Sequence, residues 1–155
     1  MTELATHGVD GTHAVAARVA DLVEAGDVIV LVGDLGAGKT AFVAGLVAAL
    51  GSPDPVTSPT FTIAQRYEGG RLRVHHLDAY RLSGVEEAGD LALDELVEDE
   101  AVTVIEWGDR LRGLLPPDRL ELELRLGDGD DDRILRFDAG GPRWAARLER
   151  LEAAC

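Results

Sequence analysis

The segment from Val28 to Leu50 constrains the fold of this chain more than any other. Val28-Ile-Val-Leu-Val32 is wholly apolar and rich in β-branched residues, which is typical of a strand buried on both faces of a parallel sheet. It runs directly into the glycine-rich turn Gly33-Asp-Leu-Gly-Ala-Gly-Lys39-Thr40. Lys39 to Leu50 then has the pattern of a helix that ends at Gly51. Strand, turn and helix in this order predict an α/β domain.

The glycine-rich turn matches the phosphate-binding loop (P-loop) pattern. Glycines let successive backbone N–H groups point inward at a helix N-terminus, where they form a nest for phosphate oxygens. Lys39, the only lysine of the chain and expected to be exposed, would reach the β- and γ-phosphates, and the Thr40 hydroxyl would bind Mg²⁺. The expected nucleotide contacts along the loop are Gly33, Asp34, Leu35, Gly36, Ala37, Gly38, Lys39, Thr40 and Ala41.

Two carboxylates follow apolar strands, where a nucleoside-triphosphate site needs an acidic group near Mg²⁺. Asp78 comes after Val74-His-His-Leu77, and Glu106 comes after the more apolar Val102-Thr-Val-Ile105. We therefore expect Glu106 on the metal side, while Asp78 either contacts the metal shell or orients the attacking water. Guanine recognition usually relies on an Asn-Lys-x-Asp or Thr-Lys-x-Asp element, which a chain with one lysine cannot build, so ATP is the expected nucleotide.

Turn and cap residues divide the rest of the chain into elements. The adjacent His75 and His76 should face opposite sides of a strand, with a structural rather than a metal-binding role.

The pattern as a whole predicts a P-loop NTPase-like α/β fold in one domain over 1–155, a largely parallel sheet with antiparallel hairpin additions and helices on both faces. The further elements are a helix His13–Glu24 capped by Asp10 to Thr12, a hairpin of Phe61–Tyr67 and Leu72–Leu77, short helices within Tyr80–Glu100, a hairpin of Leu120–Leu126 and Arg133–Phe137, and a helix Arg143–Ala154.

Composition excludes other classes of function. The 155 residues include 15 Lys or Arg against 29 Asp or Glu, a net charge of −14. A surface that grips nucleic acid needs clustered basic residues, so any contact with RNA is expected to run through a partner. The single cysteine, Cys155, cannot form an intramolecular disulfide. No export signal or membrane-length apolar run is evident, so we expect a cytoplasmic protein without a membrane partner.

Four elements taken together resemble the TsaE family, also called YjeE. They are the P-loop Gly33–Thr40, Ser58-Pro-Thr-Phe61, His76-Leu-Asp-Ala-Tyr-Arg81 and Ile105-Glu-Trp107, and they occur in the family's order. The resemblance implies a small bacterial ATPase that is required for the N6-threonylcarbamoyl group on adenosine 37 of tRNAs reading codons that begin with A. It implies action on a complex of two partner proteins, TsaD and TsaB, with tRNA contacted only indirectly.

The resemblance also implies roles for single residues. Lys39 and Thr40 would bind ATP and Mg²⁺, Glu106 would be the second metal-side residue, and Asp78 would take part in hydrolysis. Ser58 to Phe61 resembles a switch-like loop that faces the γ-phosphate. By approximate alignment, further nucleotide contacts are expected from Thr12, Trp107 and Arg133.

Two other functions remain open at this point. One is a P-loop kinase that transfers the γ-phosphate to a small acceptor, although such kinases generally need an arginine-rich lid and Ser83 to Glu100 contains no basic residue. The other is a nucleotide-sensing interaction module with negligible turnover. Its attraction is that no arginine finger is evident in the chain itself.

Overall fold

The computed structural model describes residues 2–34, 36–56, 64–78, 101–106 and 115–153. These residues form seven strands and three helices. The strands are β1 (Thr2–His7), β2 (Val28–Val32), β3 (Ala64–Tyr67), β4 (Arg73–Asp78), β5 (Ala101–Glu106), β6 (Leu120–Leu126) and β7 (Asp132–Ala139). The helices are α1 (Val9–Ala20), α2 (Lys39–Ala49) and α3 (Pro142–Ala153).

All seven strands belong to one sheet with the order β1-β7-β6-β2-β5-β4-β3. The four central strands, β6, β2, β5 and β4, run parallel, and their register places Val30 opposite Ile105 and Asp78 opposite Glu106. Antiparallel pairs close both edges, β3 on β4 and β7 on β6 with β1 beyond it. The predicted α/β fold, with its parallel core and two added hairpins, is therefore confirmed.

The apolar core lies between the three helices and one face of the sheet. Ile29 and Leu31 of β2 belong to one buried cluster together with Phe42 of α2 and Trp144 of α3. The alternate residues of β2, such as Val30, point to the other face and are also buried. Strand β2 is thus buried on both faces, as its unbroken apolar run predicts. The short helices expected within 80–100 lie outside the described residues.

Helices α1 and α2 are in close contact at Gly45. A Cβ atom added there would lie 2.8 Å from the Cα of His13 and 3.0 Å from the Cβ of Ala16. Only a residue without a side chain leaves room for this contact, because backbone atoms cannot move aside. The packing of α1 against α2 therefore helps to hold the helix that carries the P-loop at its N-terminus.

Strand β1 is not predicted by the sequence pattern, and it changes where α1 begins. β1 pairs with β7, and the chain then turns at Gly8, whose φ is 92°, and enters α1 at Val9. The predicted start at His13, with a cap at residues 10–12, is therefore wrong, as is the predicted end at Glu24. Thr12 is instead buried inside α1, with its Oγ1 3.3 Å from the Oγ1 of Thr6.

Other boundaries shift by a few residues. Strand β4 extends to Asp78 and β5 to Glu106, so both candidate carboxylates are the last residues of strands rather than loop residues. Strand β7 runs two residues further than Phe137, to Ala139, because it pairs with β6 as far as Leu120. Within the described ranges no helix combines the length and the apolar character needed to cross a membrane.

A buried ion pair connects α3 to the amino end of β2, which is the end of the strand opposite the P-loop. Asp27 immediately precedes β2, and its Oδ2 accepts a hydrogen bond of 2.7 Å from Nη1 of Arg147. Both side chains are buried. Nη2 of Arg147 also donates to Glu24, at 2.8 Å, but the side chain of Glu24 is 66% exposed. Asp27 is therefore the buried carboxylate that neutralises the charge of Arg147 in α3.

Replacing this partner should strongly destabilise the fold. We expect Asp27→Ala to lower the free energy of unfolding by about 3–5 kcal/mol, because the guanidinium of Arg147 would lose its buried carboxylate partner and keep only the exposed Glu24. The matched control is Glu24→Ala, which removes the exposed partner of the same arginine and should cost at most about 1 kcal/mol. Urea denaturation of both variants measures the difference, and equal losses would contradict the assignment.

Candidate nucleotide-binding site

The P-loop joins the carboxyl end of β2 to the N-terminus of α2. Gly38, the residue before α2, has a φ of 108°, a left-handed conformation that glycine adopts without strain. A Cβ atom on Gly33 would lie 2.6 Å from the carbonyl oxygen of Leu124 in β6. The loop therefore passes so close to β6 that a larger residue at position 33 would displace it.

Lys39 is the first residue of α2, and its ammonium group is held by the loop. Nζ donates to the carbonyl oxygens of Gly33, at 2.5 Å, and Asp34, at 3.0 Å. The residue is only 5% exposed, so the expectation of an exposed lysine is wrong. The reason is that the loop closes over the side chain, which a spacing motif alone does not reveal. The lysine charge thus lies among the backbone groups proposed to hold phosphate.

Opposing electrostatic effects act on this ammonium group. Burial lowers the pKa of Lys39, and the carboxylates of Glu106, Asp34 and Asp78 act in the opposite direction. The burial effect is the larger one, so the pKa lies below the ordinary value for lysine. These influences show that the loop lysine and the two strand-end carboxylates share one electrostatic environment.

The two candidate carboxylates are neighbours across the sheet. Asp78 and Glu106 end adjacent parallel strands and are directly opposite in register. Paired residues point to the same face, so both carboxylates lie at the carboxyl edge of the sheet where the P-loop begins. Glu106 is 5% exposed. The structure thus brings together Lys39, Asp78 and Glu106, as the sequence motifs predict.

His76 is a site residue that the sequence analysis did not identify. Its Nε2 lies 2.5 Å from Oε2 of Glu106, and it has no exposed surface. The signal was present in the sequence, because a residue two positions before Asp78 points to the same face of β4. Recognising it required the in-register parallel pairing of β4 and β5, which depends on tertiary structure. The adjacent His75 points to the opposite face, as expected.

The oxygen donors at this edge suit magnesium in combination with a nucleotide. Among the described residues, no three His, Cys, Asp or Glu side chains are grouped closely enough to hold a metal ion alone. Mg²⁺ is commonly bound through one or two carboxylates and substrate phosphates rather than by a protein cage. The half-buried Thr40 and the carboxylate of Glu106 fit this arrangement.

Arg133, the second residue of β7, approaches the P-loop. Its Nη2 donates to the carbonyl oxygen of Gly36 at 3.3 Å. Oδ1 of the preceding residue, Asp132, lies 2.7 Å from Nδ1 of His7, the last residue of β1. Hydrogen bonds from His7 and from the backbone N–H of Gly129 lower the pKa of Asp132. The contact between Asp132 and His7 of β1 therefore helps to fix the start of β7, which presents Arg133 to the loop.

Several expected contacts cannot be placed. Leu35, Trp107 and the stretch Ser58 to Phe61 lie outside the described residues. Of the other two loop positions, Ala37 is buried and Ala41 is half-buried. A cavity of about 390 Å³ opens beside the loop, between residues 32–34 and Ala37 on one side and the end of β6 on the other. This cavity leaves open space next to the proposed phosphate nest.

Comparison with known protein families gives a match over most of the chain. Residues 6–134 match the family described as threonylcarbamoyl adenosine biosynthesis protein TsaE. A TsaE protein of Bacillus subtilis is 41% identical over 140 residues, covering 90% of this chain and 87% of that protein. One of Treponema pallidum is 46% identical over 113 residues, covering 72% and 83%. One of Streptomyces coelicolor is 44% identical over 134 residues, covering 83% and 90%.

A solved structure has a similar fold. The crystal structure of Bacillus subtilis YdiB superposes with a TM-score of 0.81 at 35% sequence identity. The superposition covers 99% of this chain and 95% of that chain. The two proteins therefore share their fold over nearly the whole of both chains.

Proposed function

This chain belongs to the TsaE family of tRNA threonylcarbamoyladenosine biosynthesis proteins, and from that premise we propose that it binds and hydrolyses Mg-ATP as a subunit of the modification system. We further propose that it acts on a complex of TsaD and TsaB and reaches tRNA only through that complex. The net charge of −14 supports this indirect role, because such a surface repels a phosphate backbone.

One observation carries the proposal of an ATPase. The P-loop lysine is held at the carboxyl edge of a parallel sheet, in the same electrostatic environment as two carboxylates from neighbouring strands. A lysine and backbone N–H groups can bind triphosphate oxygens, while a nearby carboxylate can hold the metal shell or orient water. A site for phosphate binding alone would not require the buried carboxylate of Glu106.

The chain's own groups have distinct tasks in this mechanism. Backbone N–H groups of residues 33–40 bind phosphate oxygens, and Lys39 exchanges its loop carbonyls for the β- and γ-phosphates. Thr40 and Glu106 would hold Mg²⁺, which would supply positive charge against the phosphate oxygens. Asp78 either contacts the metal shell or orients the attacking water. Arg133 lies next to the loop, where it can contact the nucleotide.

The proposal is tested by steady-state hydrolysis of Mg-ATP, measured for the purified chain alone and with TsaB and TsaD. We expect slow turnover alone and marked stimulation by the partners, because partner groups often complete a P-loop site. Each partner added singly serves as a control. ATP binding with negligible turnover in every mixture would contradict the ATPase and would favour the nucleotide-sensing module.

A further inference from the structure

Strands β3, β4 and β5 present a row of polar side chains on one face of the sheet. The register places Gln65 opposite His76, and Asp78 opposite Glu106. Residues two apart on a strand share a face, so Tyr67 lies on the same face as Gln65, and His76 on the same face as Asp78. The row leads from the edge strand β3 to the carboxylate at the candidate metal site.

These side chains form a continuous series of contacts. The hydroxyl of Tyr67 donates to Oε1 of Gln65 at 2.6 Å and lies 3.2 Å from Nδ1 of His76. Nε2 of His76 in turn lies 2.5 Å from Oε2 of Glu106. Tyr67 is 3% exposed and His76 is fully buried. Both ring nitrogens of the histidine therefore have partners, and the orientation of its ring is determined from two sides.

The contact with His76 restricts how Glu106 can be used. A carboxylate accepts hydrogen bonds through two oxygens, and Nε2 of His76 engages one of them, Oε2. A free glutamate side chain samples several rotamers, and ordering it costs free energy when a ligand binds. A glutamate held by a buried ring is ordered before the ligand arrives.

We propose that His76 is a positioning residue, which holds Glu106 in the orientation that binds the metal-nucleotide complex and is itself oriented by Tyr67. This inference rests on the proposed function and assigns a role to residues outside the P-loop and the strand-end carboxylates. Hydrogen-bond partners of metal-binding carboxylates commonly contribute about 10- to 100-fold to metal affinity or activity. The alternative is that His76 only satisfies buried polar atoms in the core.

Two amide substitutions separate these roles. The side-chain amide of glutamine reaches as far from the backbone as Nε2 of histidine, so His76→Gln can still donate to Glu106. The amide of asparagine reaches only as far as Nδ1. His76→Asn therefore keeps a polar group near Tyr67 but loses the contact with the carboxylate of Glu106. Both variants place a similar polar amide in the same buried position, which makes them matched controls for folding.

The readout is the affinity of the complex for Mn²⁺, measured by electron paramagnetic resonance with a non-hydrolysable ATP analogue. We expect His76→Asn to weaken Mn²⁺ binding by about 10- to 100-fold and to lower kcat of ATP hydrolysis by a similar factor. His76→Gln should stay within a few fold of the wild type. The affinity for ATP in EDTA should be unchanged in both variants, because His76 acts through Glu106 and binding without metal depends on the P-loop and Lys39.

Two results would overturn the positioning role. In the first, His76→Asn binds Mn²⁺ as tightly as the wild type. In the second, His76→Gln loses as much affinity as His76→Asn, which is the behaviour of a residue that only fills the core. Glu106→Gln distinguishes failure of the proposed function, because normal Mn²⁺ affinity in that variant would remove Glu106 itself from the metal site.

Discussion

Replacing Glu106 by glutamine is expected to lower kcat of ATP hydrolysis by about 100- to 10,000-fold, the range typical of lost proton-transfer or charge contributions at an active site. The affinity for ATP in EDTA should change little, because phosphate binding depends on the P-loop and Lys39. Glutamine keeps the size of the side chain and can still accept a hydrogen bond from His76, so the buried position should remain intact. Steady-state hydrolysis with TsaB and TsaD, paired with equilibrium binding of ATP, measures both quantities.

A matched control removes one carboxylate charge elsewhere. Glu149 is exposed on α3. The ion pair with Asp27 holds this helix at the amino end of β2, away from the P-loop. Glu149→Gln should therefore leave both turnover and affinity unchanged. Full turnover in Glu106→Gln would reject Glu106 as the essential carboxylate and would move that role to its neighbour in register, Asp78.

Replacing Lys39 by methionine is expected to weaken ATP binding by about 10- to 100-fold, because charge-assisted hydrogen bonds contribute roughly 1.5–3 kcal/mol. Methionine has a similar length and an apolar stem, so it can fill the space that the loop closes over. It has no charge and no donor for the phosphates or for the carbonyls of Gly33 and Asp34. Titration of a fluorescent ATP analogue measures the affinity, and near-UV circular dichroism checks the fold.

The control for this substitution also removes a positive charge. Arg150 is exposed on α3, so Arg150→Met changes the net charge by the same amount without touching the loop. It should bind ATP as the wild type does. Unchanged affinity in Lys39→Met would contradict the assignment of residues 33–40 as the phosphate-binding loop.

Local sequence patterns predict the secondary structure correctly where a short segment carries its own structural signal. The apolar run of β2 predicts a strand buried on both faces, and the glycines after it predict a turn into α2. The alternation in Leu120 to Leu126 likewise predicts β6 with one buried face, as observed in the burial of Leu120, Leu122 and Leu124. These signals depend on contacts that each residue type makes with its near neighbours along the chain.

Patterns failed where the partner of a segment is distant in sequence. Thr2 to His7 has only a weak alternation, and it becomes β1 because β7 offers an unpaired edge about 130 residues later. That pairing brings the chain to Gly8 and starts α1 four residues earlier than its composition suggests. A cap at residues 10–12 was a reasonable prediction from local sequence, but long-range pairing overrides local preference.

The chemistry of the candidate site divides in the same way. The P-loop motif identifies Lys39 and Thr40, and the apolar strands identify the two carboxylates that follow them, Asp78 and Glu106. Both inferences hold because phosphate and magnesium binding require particular groups at particular spacings. Burial of the lysine depends on the way the loop closes over it. The register that places Asp78 beside Glu106 and the contact of His76 with Glu106 depend on the lateral order of the strands. Spacing along one strand specifies which face a side chain takes, but only the assembled sheet specifies which side chains meet there.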